Sequence, residues 1–165
     1  MKLKRILKHL ITGHVAVRRA FPPRALQAIE QAIRDCETAH RGQIRFAVES
    51  ALNIAALWRG VSAKARAIEV FSRLRVWDTE HNNGVLIYLL LADHDVEIVA
   101  DRGVHAKLGN SVWEEICRTM ERAFRERRFE EGVIAGIRAV GGHLQRHYPS
   151  QPLPPNELPD KPFVF

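Results

Sequence analysis

Seven consecutive apolar residues, Val85-Leu86-Ile87-Tyr88-Leu89-Leu90-Leu91, constrain this chain more than any other feature. The run is short for a helix and suits a central β-strand covered on both faces. A short polar turn at Asp93-His94 follows, and Val96-Glu97-Ile98-Val99-Ala100-Asp101 then alternates. So tight a turn forces the second strand to return antiparallel. With the turn centred on Asp93-His94, Leu90 is expected to face Glu97 and Leu86 to face Asp101.

An earlier segment, residues 43–50 (QIRFAVES), also alternates, with Ile44, Phe46 and Val48 on one side. Helical spacing precedes it at Leu26, Ile29, Ile33 and Cys36, and follows it at Ala65, Ile68, Phe71 and Leu74, where Ser62 is placed to cap the helix. Residues 51–61 fit neither period. The strands at 43–50 and 85–91 are far enough apart for a right-handed parallel crossover. Two helices close the pattern. The first carries Trp113, Ile116, Cys117, Met120 and Phe124 behind a Ser111–Glu114 capping box, and the second carries Val133, Ile137, Val140 and Leu144. The expected fold class is α/β: a small mixed sheet, one parallel crossover plus an antiparallel hairpin, with helices on its faces.

All eight prolines lie outside residues 24–148, and proline resists helix interiors and central strands, so they mark the edges of a single domain. The chain divides into a basic amphipathic segment (1–23), the α/β body (24–148) and a Pro-rich tail (149–165). The tail is expected to be extended, with Leu158, Phe163 and Phe165 available to lie along the body. At 165 residues, one ordinary core suffices without a disulfide or metal. Cys36 and Cys117 fall on apolar helix faces without redox or zinc spacing and read as buried free thiols. The three tryptophans, Trp58, Trp77 and Trp113, read as core or loop anchors.

Charge is uneven. Residues 1–24 carry Lys2, Lys4, Arg5, Lys8, Arg18, Arg19 and Arg24 and no acid, so a formal net charge of +6 leaves −1 for the rest. The body has no electrostatic footprint for nucleic acid, and the Arg-rich residues 125–129 are offset by Glu126, Glu130 and Glu131, so no nucleic-acid partner is expected. No apolar run approaches the roughly 20 residues of a membrane-crossing helix. Lys8 and His9 interrupt what would be a secretory apolar region, which points to a cytoplasmic protein. Within residues 2–11, Leu3, Ile6, Leu7, Leu10 and Ile11 share a helical face with Lys2, Lys4, Arg5 and Lys8 around the rest. Such a helix suits the surface of an anionic membrane, a partner groove or its own domain equally.

The hairpin gathers two polar loops at one end of the sheet, residues 78–84 and residues 101–105. Their carboxylates and amide oxygens are the ligands that Ca²⁺ or Mg²⁺ takes, and Asp78, Glu80, Asn82 and Asp101 are the candidates.

Taken together, FAVES, the long FSRLRVWDTEHNNGVLIYLLLADHDVEIVADRG stretch and FRERRFEEGVIAGI resemble the TPM domain family, named for its thylakoid lumen, photosystem repair and nematode receptor-accessory members. The resemblance implies a three-layer α/β/α sandwich and a divalent-cation site near the Asn-Gly-Val loop. It implies acid phosphatase activity for the plant lumenal member, and a LemA-like membrane protein as a partner; residues 1–14 are the segment expected to meet that protein or a membrane surface. Many family members carry aspartate where this chain has Asn82, which keeps a carbonyl oxygen but removes a full negative charge. If the chain is a metal-dependent phosphatase, Asp101 and Glu80 would hold the cation, Arg102 would meet the phosphate, and His81 or His105 would shuttle a proton. The other expectation is a cation-responsive accessory or interaction module, peripheral at the inner membrane.

Overall fold

The computed structural model describes residues 2–150 and 156–165; residues 151–155 of the expected tail lie outside them. In chain order the elements are α1 (Lys2–Ile11), α2 (His14–Ala20), α3 (Pro23–Glu37), β1 (Gln43–Glu49), α4 (Ile54–Trp58) and α5 (Ala63–Arg73). They continue as β2 (Gly84–Leu90), β3 (Asp95–Ala100), α6 (Arg102–Leu108), α7 (Asn110–Arg125), α8 (Phe129–His147) and β4 (Phe163–Val164). The sheet order is β3-β2-β1-β4, with β1 parallel to β2 and β4, and β3 antiparallel to β2.

Alternation along the strands builds two cores, one on each sheet face. Ile44, Phe46, Val48, Val85, Ile87 and Leu89 point toward the larger core, which α3, α7 and α8 cover. Ala47, Leu86, Tyr88 and Leu90 point toward the smaller one, beneath α4 and α5. Every residue of β2 is buried, as its unbroken apolar sequence requires. The result is the expected three-layer α/β/α sandwich around a mixed sheet.

The hairpin register differs from the expected one by two residues: Leu90 pairs with Asp95 and Leu86 with Val99. The cause lies in the neighbouring strand. Leu91 N and Ala92 N donate to Glu49 O at 2.9 Å and Ser50 O at 3.0 Å, extending the parallel pairing with β1 and leaving four residues for the turn. His94 closes it at φ 54°, a left-handed conformation. Because the shift is even, each side chain keeps its expected face.

Ser62 Oγ accepts from Ala65 N at 3.1 Å, capping α5 as its sequence implies. The buried face of α5 is Ala63, Ala67 and Val70, however, and Ile68 is exposed. Small residues against the sheet let the helix approach closely, and Arg66 turns toward Glu49. The Ser111 capping box does not form: α7 begins at Asn110, two residues earlier than a Ser111 cap would set it, behind Gly109 at φ 71°. Residues 54–58 of the ambiguous stretch are helical, with Asn53 Oδ1 accepting from Ala56 N at 2.8 Å.

The tail returns as an edge strand. Phe163 and Val164 pair with Ala47 and Val48, and Phe165 N donates to Val48 O at 3.0 Å. Ahead of it, Gln43 Oε1 accepts from Glu157 N and Leu158 N at 2.8 and 2.9 Å, and Arg45 donates to the carbonyls of Pro159 and Lys161. Both cysteines are free, Cys117 buried and Cys36 half-buried. Burial pushes their thiols up to about 12 and about 11. Trp113 is buried in the larger core, whereas Trp58 and Trp77 are exposed rather than core anchors.

Candidate cation site

At one end of the sheet, β3 leaves the ladder and enters α6 through Asp101. Asp101 N donates to Gly84 O at 2.8 Å, which sets Asp101 against the start of β2. Its carboxylate caps α6, with Oδ1 accepting from Arg102 N at 2.7 Å. The other oxygen, Oδ2, is buried and has no protein partner. An unpaired buried carboxylate oxygen is costly, and an ordered water or a cation would each stabilise it.

The loop before β2 supplies more oxygens. Asn82 sits at φ 50°, a left-handed conformation that asparagine tolerates better than most residues. This turns its carbonyl toward α6: a Cβ on Gly103 would lie 2.5 Å from Asn82 O and 3.1 Å from His81 O. Only glycine permits that approach. Asn83 is fully buried; its Nδ2 donates to Arg41 O at 2.7 Å, while its Oδ1 has no protein partner. The Tyr148 hydroxyl lies 3.2 Å from the same Gly103 Cβ position. Burial, and then the Asp101 charge, raise the Tyr148 phenol, keeping it a proton donor.

The remaining sequence candidates point elsewhere. Asp78 is exposed and pairs with Arg75 at 2.8 Å. Glu80 is also exposed, its carboxylate 3.9 Å from His81 Nε2. His81 Nε2 lies 3.5 Å from the Arg41 guanidinium. Arg102 is exposed on the first turn of α6. His105 lines a different groove, between β3, α5 and α7. Of the four candidate ligands, Asp101 lies at the α6 entrance, where Asn82 presents its main-chain carbonyl rather than the side-chain oxygen expected of it. Asn83 was not singled out, although its place directly before Gly84 was a usable signal.

Among the described residues no group of three or more His, Cys, Asp or Glu side chains converges as a metal centre. The oxygen set at the α6 entrance nevertheless fits a hard cation, since Ca²⁺ accepts backbone carbonyls and amide oxygens beside a single carboxylate. Asp101 Oδ2 would hold it with the main-chain carbonyls of Asn82 and His81 that approach Gly103.

A family model for the TPM domain matches residues 18–143. This chain belongs to the TPM domain family. Among solved structures, the TPM chain is similar to the BA42 protein of the psychrophilic bacterium Bizionia argentinensis, at 28% identity and a TM-score of 0.76, over 86% of this chain and 93% of that one. The N-terminal domain of a P. gingivalis protein matches at 17% identity and a TM-score of 0.62, over 78% of this chain and 80% of that one. The N-terminal domain of a Corynebacterium glutamicum protein matches at 12% identity and 0.54, over 74% of this TPM chain and 72% of that one. The last two share the fold. No curated protein matches the chain significantly.

Proposed function

We propose that this TPM domain is a divalent-cation-responsive interaction module that works near a membrane surface. The observation that carries the cation reading is Asp101 Oδ2, a buried carboxylate oxygen without a protein partner, in a residue bonded to Gly84 where the loop enters β2. A bound Ca²⁺ or Mg²⁺ would neutralise that charge and tie the loop at 78–83 to the start of α6. Cation binding would then stiffen one rim of the domain, a change a partner can read. The alternative of a metal-dependent acid phosphatase draws less support. Arg102 and His81 are exposed, and His105 lines a different groove, so the proposed phosphate and proton groups are not drawn around Asp101.

Thermal unfolding in chelator and across Ca²⁺ and Mg²⁺ concentrations tests the reading. The wild-type midpoint is expected to rise with one cation. In Asp101→Asn, whose side chain still accepts the α6 cap bond, the rise should vanish. No rise with either cation, or an equal rise in Asp101→Asn, would remove the site.

A further inference from the structure

The N-terminal helix is docked with its polar side inward. Arg5 Nε donates to Asp93 Oδ2 at 2.9 Å, and Arg5 Nη1 to Val61 O at 3.1 Å. His9 is buried; its Nδ1 accepts from Leu52 N at 3.0 Å and its Nε2 lies 3.1 Å from Asp93 Oδ2. Ile6 packs against the smaller core. The rest of the apolar face points away from the body: Leu3, Leu7, Leu10 and Ile11 are 79%, 61%, 58% and 76% exposed. This reverses the ordinary packing of an amphipathic helix, which buries its apolar stripe against its own domain.

The exposed face does not stand alone. α1 contacts α4, which leaves Ile54 and Trp58 exposed at 52% and 68%. Val15 on α2 is exposed as well, and Lys4, Lys8, Arg18 and Arg19 are solvent-facing across α1 and α2. An apolar patch with basic residues around it, on residues 1–24, which carry +7 against −1 for residues 25–165, is complementary to an anionic surface with an apolar interior. Tryptophan favours the boundary between headgroups and acyl chains.

We infer that the outward face of α1, with Ile54 and Trp58 of α4, docks this domain on an anionic lipid bilayer, the leucines entering the headgroup boundary while Lys4 and Lys8 meet lipid phosphates. The inference rests on the reading of the chain as an interaction module, not on the cation site. Arg5 holds the helix to the β2–β3 turn through Asp93 and His9 holds it to Leu52 ahead of α4, so the body is carried against the membrane in a defined orientation.

Sedimentation of the full chain with vesicles, in chelator, tests this. The protein should bind vesicles of equal parts phosphatidylcholine and phosphatidylglycerol and not vesicles of phosphatidylcholine alone. Binding should weaken steeply with added salt. Leu7→Asp, at an exposed position that should leave the thermal midpoint unchanged, is expected to weaken binding about tenfold or more. Lys4→Glu with Lys8→Glu should weaken it about a hundredfold. Asp101→Asn should bind as wild type, so that failure of the cation reading and failure of the lipid reading separate. Three results would overturn the inference: no binding to anionic vesicles, equal binding to neutral ones, or a dimer that Leu7→Asp dissolves. The last would assign the face to a second copy of the chain.

Discussion

The Arg66 guanidinium on α5 grips the Glu49 carboxylate at the end of β1, Nε to Oε2 at 2.8 Å and Nη2 to Oε1 at 3.1 Å. Tyr88 of β2 donates its hydroxyl to the same Oε2 at 2.7 Å, so one carboxylate ties two strands to the covering helix. Burial and the Glu49 bond push the Tyr88 phenol well above its ordinary range, while the bond to Glu49 raises Arg66.

Breaking this cluster on one side strands a largely buried charge. Arg66→Ala is expected to cost about 3 kcal/mol and Tyr88→Phe about 1 kcal/mol, read from urea denaturation. The double variant Glu49→Gln with Arg66→Met should recover much of the Arg66→Ala loss, because no unpaired charge remains. A double variant as unstable as Arg66→Ala would show that packing, not charge pairing, dominates there.

Gly103 tests the close approach of α6 to the loop. Gly103→Ala should destabilise by about 2 kcal/mol, since its Cβ overlaps the Asn82 carbonyl, and should also blunt any cation-induced rise in thermal midpoint. Gly142 in α8 is the control, having nothing within 4 Å of its Cβ position. Gly142→Ala should stabilise by about 0.5–1 kcal/mol by restricting the unfolded chain.

Glu37 makes stability depend on pH. Its Oε1 accepts from Ile44 N at 2.6 Å, and burial, reinforced by Asp160 of the returning tail, raises its carboxyl from 4.5 to about 8. Between those values the unfolded state releases a proton that the folded state keeps, so unfolding free energy falls as pH rises through the window. The loss is about 5 kcal/mol at most. His40 acts oppositely: burial holds it at about 4 against its ordinary 6.5, so its contribution is lost as pH falls between them. Denaturation of wild type beside Glu37→Gln isolates the first effect, and the variant should show a flatter dependence from pH 4.5 to 8. Parallel profiles would mean that Glu37 does not carry the dependence.

Local pattern made much of the architecture legible. The apolar run of β2, the alternation of β1 and the exclusion of proline from residues 24–148 lead to a mixed sheet between helices, because strand period and backbone donors act over a few residues. The candidate site was legible as a place, where the loop before β2 meets the exit of β3, more than as a set of atoms. Asp78 and Glu80 carry the expected charges but face solvent, whereas the left-handed turn at Asn82 and the burial of Asn83 depend on α6 and Arg41.

Sequence by itself determined the strands β1, β2 and β3, the helices α3, α5, α7 and α8, and most of the residues that the strands, α3, α7 and α8 turn to a core, since those follow from spacing along the chain. Tertiary structure alone decided the turn register, through bonds from Leu91 and Ala92 to β1, and the use of the tail as an edge strand held by Gln43 and Arg45. It also decided that α1 turns Arg5 and His9 inward and its leucines outward. A helical stripe specifies an apolar side, but which way that side points depends on where distant partners such as Asp93 and Leu52 come to lie.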